Sequence, residues 1–190
     1  MNYESDKDYQ TLVELFDVAN MAFLRADKDL FYDGVSERTL CGALKRHIEN
    51  KKWRRIAPQY KVDVEYDRND GELKTVIVGE NRMIRSITCD LILHSRGKIV
   101  KQDNLIALEM KKAYRDEQSK EDDRNRLMAL TKSSYDDIWS FDGRTLPKHV
   151  CRYILGVYYE VDIRREKIIV EFYRKGNLAE RKEIGIKENS

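Results

Sequence analysis

Near its centre this 190-residue chain reads Asn104-Leu105-Ile106-Ala107-Leu108-Glu109-Met110-Lys111-Lys112. A short apolar run with a charged end is typical of a strand buried within a sheet, and we predict a strand over residues 104–112. Successive side chains of a strand point to opposite faces, so Glu109 and Lys111 share one face while Met110 lies on the other. The end of this strand therefore presents an acid and a base side by side.

Patterns on both sides of this strand predict an α/β fold. Apolar residues recur every three or four positions in the predicted helices and alternate with charged residues in the first predicted strands. We predict helices over residues 8–24, from a cap at Ser36 to about 50, and from a cap at Asp122 or Asp123 to about 132, and strands over 60–66, 73–78, 84–94, 104–112, 152–162 and 167–174. The first two strands are expected to form a hairpin around the turn Asn69-Asp70-Gly71, and residues 29–35 a loop. This order indicates a central mixed β-sheet flanked by helices.

Size and composition exclude several classes of protein. The chain carries 36 Lys and Arg against 34 Asp and Glu, a net charge of +2, which excludes a basic tail and an acidic solvating polymer. Two Trp, eleven Tyr and five Phe indicate a folded chain rather than a disordered one. We expect one domain over residues 1–190, with a core from about 36 to 175 and an acidic helix within 1–33.

The sequence also bears on the compartment. No stretch approaches the roughly 18 apolar residues of a membrane span, and the acidic start Met1–Asp6 lacks the apolar run of a signal peptide. We therefore expect a cytoplasmic protein with no membrane partner. Cys41, Cys89 and Cys151 show no paired spacing, so we expect three reduced thiols in the core.

The two signs of charge are segregated along the chain. Residues 1–33 carry a net charge of −5, whereas residues 36–61 carry +6. The densest basic part is Lys51-Lys52-Trp53-Arg54-Arg55, in which an aromatic ring interrupts four cations. That composition suits contacts with nucleic-acid phosphates and stacking on a base. The alternative is a solvated helix C-terminus, where the helix dipole favours cations.

Carboxylates are the strongest candidates for chemistry. The chain lacks the common nucleophile, phosphate-loop and dinucleotide motifs, and its three His are scattered without metal-ligand spacing. Asp90 lies within the apolar run Ile87–Leu93, where an unpaired buried carboxylate is costly. A divalent cation would compensate for this cost, since Mg²⁺ prefers oxygen ligands. A hydrogen-bonded Asp at a strand bulge is the alternative.

Two further acids join Asp90 as candidates. Of the four Glu-x-Lys triplets in the chain, only the one at Glu109 directly follows an apolar strand; the alternative is a charged strand end paired with a surface helix. Glu37 shares a helical stripe with Leu40 and Leu44, which directs it toward the sheet. It is either a ligand or water-orienting base, or only a favourable acid at a helix N-terminus.

These residues resemble the motifs of the PD-(D/E)XK nuclease superfamily, which has the restriction-endonuclease-like fold. The order matches: a helix with Glu37, a strand with Asp90, a strand with Glu109 and Lys111, then a helix and a strand. The chain is similar in detail to small stand-alone bacterial members in three segments, Asp63-Val64-Glu65-Tyr66-Asp67-Arg68-Asn69, Asp90-Leu91-Ile92-Leu93-His94-Ser95-Arg96-Gly97 and Asn104–Lys112. It departs from the motif at Cys89, where the family name gives proline.

The resemblance implies metal-assisted hydrolysis of phosphodiester bonds, with DNA favoured as the substrate. Asp90 and Glu109, supported by Glu37, would bind Mg²⁺ or Mn²⁺, which activates a water and polarises the phosphate. Lys111 would position or activate that water and stabilise the developing charge.

Two other functions remain open from the sequence alone. The chain could keep this fold without turnover, as a nucleic-acid-binding or protein-interaction module, because a fold does not imply a function. It could also form a homodimer through the Tyr-rich strand over residues 153–159.

Overall fold

The structure is a computed structural model, which describes residues 6–52, 55–66, 88–133 and 151–187, together with the backbone of short strands between 68 and 86. The helices are α1 (Asp6–Ala26), α2 (Lys28–Tyr32), α3 (Glu37–Lys52) and α4 (Glu117–Thr131), with a 3₁₀ turn at Val100–Gln102. The strands are β1 (Lys61–Val64), β2 (Arg68–Asn69), β3 (Glu72–Leu73), β4 (Thr75–Val78), β5 (Met83–Ser86), β6 (Leu91–His94), β7 (Asn104–Lys112), β8 (Leu155–Asp162), β9 (Lys167–Arg174) and β10 (Asn177–Gly185).

A six-stranded mixed sheet forms the centre of the fold, in the order β1-β6-β7-β8-β9-β10. Neighbouring strands are antiparallel except for β7 and β8, which run parallel. A parallel pair needs a crossover connection, and α4 lies within the one between β7 and β8. The prediction of a central mixed β-sheet flanked by helices is thus confirmed.

The two faces of the sheet bury different partners. Helices α1 and α3 pack against one face, where Leu108 and Met110 of β7 join a large apolar core. Cys41 of α3 lies within this core, and its Sγ is 3.8 Å from the sulfur of Met110. The opposite face holds a smaller cluster, built on Leu127 and Leu130 of α4. Strand alternation therefore directs the even-numbered residues of β7 toward α1 and α3, as the sequence predicts.

Several predicted elements coincide with observed ones. Strands β7 and β9 have the predicted limits, and α1 and α3 extend each predicted helix by about two residues. Ser36 caps α3 as expected, because its Oγ accepts the backbone N–H of Thr39 at 3.1 Å. All three Cys are buried and none forms a disulfide bond, as predicted. Strands β2 and β3 pair across positions 70 and 71, the site of the predicted turn.

Other predictions about the elements are wrong. The hairpin does not join the first two strands, since β1 pairs with β6 and β4 pairs with β5. The predicted strand over 84–94 is two strands, and Asp90 precedes β6 rather than lying within it. The predicted loop over 29–35 contains α2. Helix α4 begins at Glu117, where Asp116 caps it by accepting the N–H of Ser119, so neither Asp122 nor Asp123 is the cap.

The Tyr-rich segment does not form an edge for dimerisation. Strand β8 pairs with β7 on one side and with β9 on the other. Tyr158 and Tyr159 are fully buried. The outer strand on that side is β10, which the sequence did not predict because its residues are mostly exposed and its centre is a run of four charged residues. Charged side chains on an exposed edge oppose strand addition by another chain.

None of the helices that the structure describes is long and apolar enough to cross a membrane.

The close approach of α4 to β8 predicts an effect of Gly156→Ala. A Cβ at Gly156 would lie 3.0 Å from Cγ2 of Thr131 and 3.0 Å from Cβ of Tyr173. We expect this overpacking to destabilise the protein by about 1–3 kcal/mol in urea unfolding. Gly42→Ala in α3 is the control, because no atom lies within 4 Å of its added Cβ. It should stabilise by about 0.5–1 kcal/mol, and equal effects of the two substitutions would contradict this packing.

Candidate active site

The pairing of β6 with β7 places Asp90 beside Glu109. Leu91 pairs with Leu108, so one further step along each strand brings Asp90 opposite Glu109. The Asp90 side chain continues the hydrogen bonding between β6 and β7 just before β6 begins. Its Oδ2 accepts the backbone N–H of Met110 at 2.7 Å. A side chain thus replaces a strand partner at the end of the ladder, which holds this carboxylate against the Glu-x-Lys triplet.

Glu109 is buried on the α4 face of the sheet, with 1% of its surface exposed. Its Oε1 accepts a hydrogen bond from Nη1 of Arg126 at 2.7 Å. The same nitrogen donates to Oδ1 of Asp123 at 3.1 Å. Arg126 therefore bridges a carboxylate of the sheet and a carboxylate of α4.

Lys111 points to the same face as Glu109, as the strand alternation predicts. Its Nζ lies 2.9 Å from Oδ2 of Asp123, an ion pair whose acid is buried and whose base is mostly buried. The predicted alternative of a charged strand end paired with a helix is thus realised here, although the helix carboxylate is buried rather than on the surface. This pair keeps Lys111 close to the carboxylates of Asp90 and Glu109, whose charges both act on it.

Burial and the repulsion between neighbouring carboxylates raise the pKa of Glu109 and of Asp90. Burial raises the pKa of Glu109 to about 8, and Asp90 and Asp123 add to this while Arg126 opposes it. The pKa of Asp90 is also raised, mainly by burial, with the Met110 amide opposing and the charge of Asp123 contributing. With all three carboxyls ionised the cluster would have three negative charges against two positive ones, and the raised pKa of Glu109 means that a proton offsets the difference near neutral pH.

Lys111 stays charged in this environment. Burial favours its neutral form, but the hydrogen bond and charge of Asp123 together with Asp90 and Glu109 outweigh this and raise the pKa of Lys111. A protonated lysine is not a general base, and a cation bound at the neighbouring carboxylates would alter this balance. It can stabilise negative charge on a group bound beside it.

Glu37 lies at the first position of α3 and joins this helix to the end of β7. Its Oε1 accepts the backbone N–H of Lys112 at 3.0 Å and Nε of Arg115 at 3.1 Å, and its Oε2 accepts Nη2 of Arg115 at 2.9 Å. Burial opposes ionisation, but these contacts lower the pKa of Glu37. Both oxygens are therefore occupied, although the charge of Glu37 still acts on Asp90.

Asp123 and Arg126 belong to the cluster, but the sequence analysis did not assign them to the site. Asp123 precedes Leu127 by four residues and Leu130 by seven, which places it on the inward stripe of α4. The same spacing argument that directed Glu37 toward the sheet would have found Asp123. No comparable signal marks Arg126, whose position depends on the docking of α4.

In the basic segment predicted to bind nucleic acid, one described residue is buried and another is exposed. Lys52 is buried, and its Nζ donates to the carbonyl of Tyr60 at 2.7 Å and pairs with Glu49 at 3.0 Å, which favours a structural role. Arg55 is exposed and donates to the carbonyl of Lys51. Trp53 and Arg54 lie outside the described residues.

Two of the segments that carry the family resemblance meet at Asp63. Arg96 donates to this carboxylate through Nε at 2.7 Å and Nη2 at 2.6 Å. His94 Nε2 lies 3.0 Å from the same carboxylate. Burial opposes ionisation, but Arg96 and His94 lower the pKa of Asp63. These contacts connect β1 to the end of β6, which indicates a structural role for this second cluster.

Glu109→Gln is expected to change how stability depends on pH. The pKa of Glu109 rises from 4.5 to about 8 on folding, so the folded state holds more protons than the unfolded state between these values. Ionising this group therefore destabilises the fold as pH rises through that interval. The Gln side chain cannot ionise, so the unfolding free energy of Glu109→Gln relative to wild type should rise by about 3 kcal/mol between pH 5 and pH 8. Urea unfolding measures this difference, and a constant difference would contradict the buried acid.

No known protein family, curated protein or solved structure matches this chain. Within the described part of the chain, no three His, Cys, Asp or Glu side chains form a ready-made metal site.

Proposed function

We propose that this chain is a metal-dependent nuclease of the PD-(D/E)XK type, which hydrolyses phosphodiester bonds and takes DNA as its substrate. The observation that carries this proposal is the buried cluster at the end of β7, where Asp90 and Glu109 lie beside a charged Lys111. A buried cluster with more acids than bases favours an additional cation. A lysine next to it suits an anionic substrate such as a phosphodiester.

The order of elements supports the restriction-endonuclease-like assignment. Helix α3 with Glu37 precedes the strands, β6 follows Asp90, and β7 carries Glu109 and Lys111. Helix α4 and the parallel strand β8 come next. This is the order that the family resemblance implies.

The side chains of the cluster offer the type of ligand atom that a hard divalent cation binds. Asp90, Glu109 and Asp123 offer carboxylate oxygens, which Mg²⁺ and Mn²⁺ prefer. In the structure Arg126 occupies the position between Glu109 and Asp123 and satisfies both. Arg126 donates to one oxygen of each carboxylate, so it would compete with Mg²⁺ for these acids.

Each residue of the cluster would have its own role in the proposed hydrolysis. Asp90 and Glu109 would hold the cation, which supplies Lewis-acid polarisation of the phosphate and a water of lowered pKa. Lys111, which keeps its proton, would stabilise charge on the phosphoryl oxygens rather than remove a proton. Glu37 would act as a positioning residue, because it fixes the amide of Lys112 and with it the end of β7. Exposed cations such as Arg55 would contact the nucleic-acid backbone.

One observation favours a second candidate function. Arg126 and Lys111 already form ion pairs with Glu109 and Asp123, as a chain would that has kept the fold but lost turnover. Such a protein would act as a nucleic-acid-binding or interaction module. Cleavage and metal binding distinguish the two candidates.

Substitutions of Asp90 and of the charged residues in the triplet at Glu109 are expected to reduce cleavage strongly. Glu109→Gln, Asp90→Asn or Lys111→Met should each reduce metal-dependent cleavage of plasmid or single-stranded DNA by about 100-fold or more, since each removes a charge needed at the reacting phosphate. EDTA should have the same effect on the wild type. Gel electrophoresis of the products measures this.

The chain offers a matched control on β10. Glu180→Gln alters another Glu-x-Lys triplet, at an exposed edge of the sheet. It should cleave like the wild type. Equal cleavage by Glu109→Gln and Glu180→Gln would show that the site is wrong, and no cleavage by the wild type would favour the second candidate function.

Arg126→Met is expected to strengthen divalent-cation binding. The substitution removes a charge-assisted hydrogen bond that competes with the cation, and a bond of about 1.5 kcal/mol corresponds to roughly tenfold in affinity. Calorimetric titration with Mg²⁺ or Mn²⁺ measures this, while circular dichroism confirms that the variant folds. Arg181→Met, which alters an exposed arginine of β10, should leave the affinity unchanged. Unchanged binding in Arg126→Met would contradict a competition between Arg126 and the metal.

A further inference from the structure

A cleft of about 570 Å³ opens at the carboxyl ends of the parallel strands β7 and β8. Its walls come from α2 and the following turn on one side and from the start of α4 on the other. In sheets with parallel strands, ligands commonly bind in the crevice outside the carboxyl ends, where the connections diverge. The position alone thus marks this cleft as a candidate binding surface.

Two exposed tyrosines line the cleft. Tyr114 follows the end of β7 and is 68% exposed, and Tyr32 at the end of α2 is 42% exposed. In the part of the chain that the structure describes, the only other exposed large apolar side chains are Val18 and Leu178. Two aromatic rings exposed at one cleft offer flat apolar surfaces to a planar ligand.

Cations accompany these rings. The Nζ of Lys112 lies 6.0 Å from the centre of the Tyr114 ring, and the guanidinium of Arg115 lies 5.4 Å from it. Lys112 hydrogen-bonds the neutral carbonyl of Gly34, which leaves its charge uncompensated. Arg164 also lines the cleft, and no described carboxylate lies within ion-pairing distance of Lys112 or Arg164.

The acids of the cleft are outnumbered by its basic residues, since three acids and four Lys or Arg line it, a formal charge of +1. Glu117 and Glu160 both pair with Lys120, at 2.9 and 3.4 Å. Asp162 lies 3.8 Å from Arg165 and also accepts its backbone N–H. The charge that the cleft presents to a ligand is therefore positive.

We propose that this cleft binds an unpaired stretch of a DNA strand, with a base stacked on Tyr114, a second base at Tyr32, and backbone phosphates near Lys112 and Arg164. Aromatic platforms within a basic groove bind single strands without sequence preference, because every base has a flat face. A duplex hides those faces in its own stack. The inference rests on the proposed nuclease function and specifies its substrate as single-stranded.

The cleft lies next to the candidate active site. Lys112 of the cleft directly follows Lys111, and its backbone N–H is held by Glu37. Lys120 of the cleft is one helical turn before Asp123 on α4. The cleft and the candidate site therefore share the carboxyl end of β7 and the first turns of α4.

The test measures binding apart from cleavage. A fluorescein-labelled DNA strand of mixed sequence, and the same strand annealed to its complement, are titrated with the full chain in EDTA and followed by fluorescence anisotropy. The wild type should bind the single strand more tightly than the duplex. Tyr114→Ala should weaken single-strand binding by roughly 5- to 100-fold, whereas Tyr114→Phe should retain it because stacking needs the ring and not the hydroxyl.

Leu178→Ala supplies the matched control, since it removes an exposed apolar side chain from β10, away from the cleft. It should bind like the wild type. Equal affinity for single strand and duplex, or equal binding by Tyr114→Ala and Leu178→Ala, would overturn the inference.

The two proposals can fail separately. Cleavage that needs Glu109, combined with single-strand binding that is indifferent to Tyr114, would overturn the cleft and leave the nuclease. Binding that depends on Tyr114, in a wild type that cleaves no DNA with any metal, would support the cleft and overturn the nuclease.

Discussion

The buried charge at the end of β7 is the constraint on which the surrounding structure depends. Glu109 and Asp123 are almost fully buried, and a buried carboxylate must be paired or it destabilises the fold. Arg126 and Lys111 provide this pairing, and both contacts run between the sheet and α4. The position of the helix and the charge of the site are therefore set by the same bonds.

Helix α4 extends this arrangement across three neighbouring strands. The strands β7, β8 and β9 each direct one glutamate toward α4: Glu109, Glu160 and Glu171. The helix meets them with Arg126, Lys120 and Arg124, at 2.7, 3.4 and 3.0 Å. Charged pairs that are largely desolvated fix geometry more than they add stability. Together with the close approach at Gly156, they specify one angle and one register for α4 on the sheet.

The sequence predicted those parts of the fold that are governed by a single local period. The strand over 104–112 is bounded by its own apolar run, and α3 by its cap at Ser36, so both were found. Strand β10 was missed because an exposed charged edge has no apolar alternation to detect. The pairing of β1 with β6 was also missed, because two intervening pairs of strands separate them in the chain.

The same distinction, between what a local sequence pattern predicts and what depends on tertiary packing, applies to the candidate site. Glu109 and Lys111 share a face because strands alternate, which the sequence alone predicts. Asp90 was found for its apolar surroundings, but its place at the start of β6 and its bond to the amide of Met110 depend on strand pairing. Arg126 could not be predicted, since its partners lie on another element and only the docking of α4 brings them together.

Asp90 is the residue that favours a functional interpretation of the cluster over a purely structural one. Two carboxylates and two cations would form a balanced buried network, and the pairs of Glu109 with Arg126 and of Asp123 with Lys111 already supply it. Asp90 adds a third acid, and no described cation lies within ion-pairing distance of it. Its backbone hydrogen bond offsets only part of the cost, because burial, Asp123 and Glu37 still raise the pKa of Asp90. Asp90 has a structural role, because its Oδ2 accepts the N–H of Met110, but that bond does not need a charged group. The added negative charge is what the proposed cation would offset.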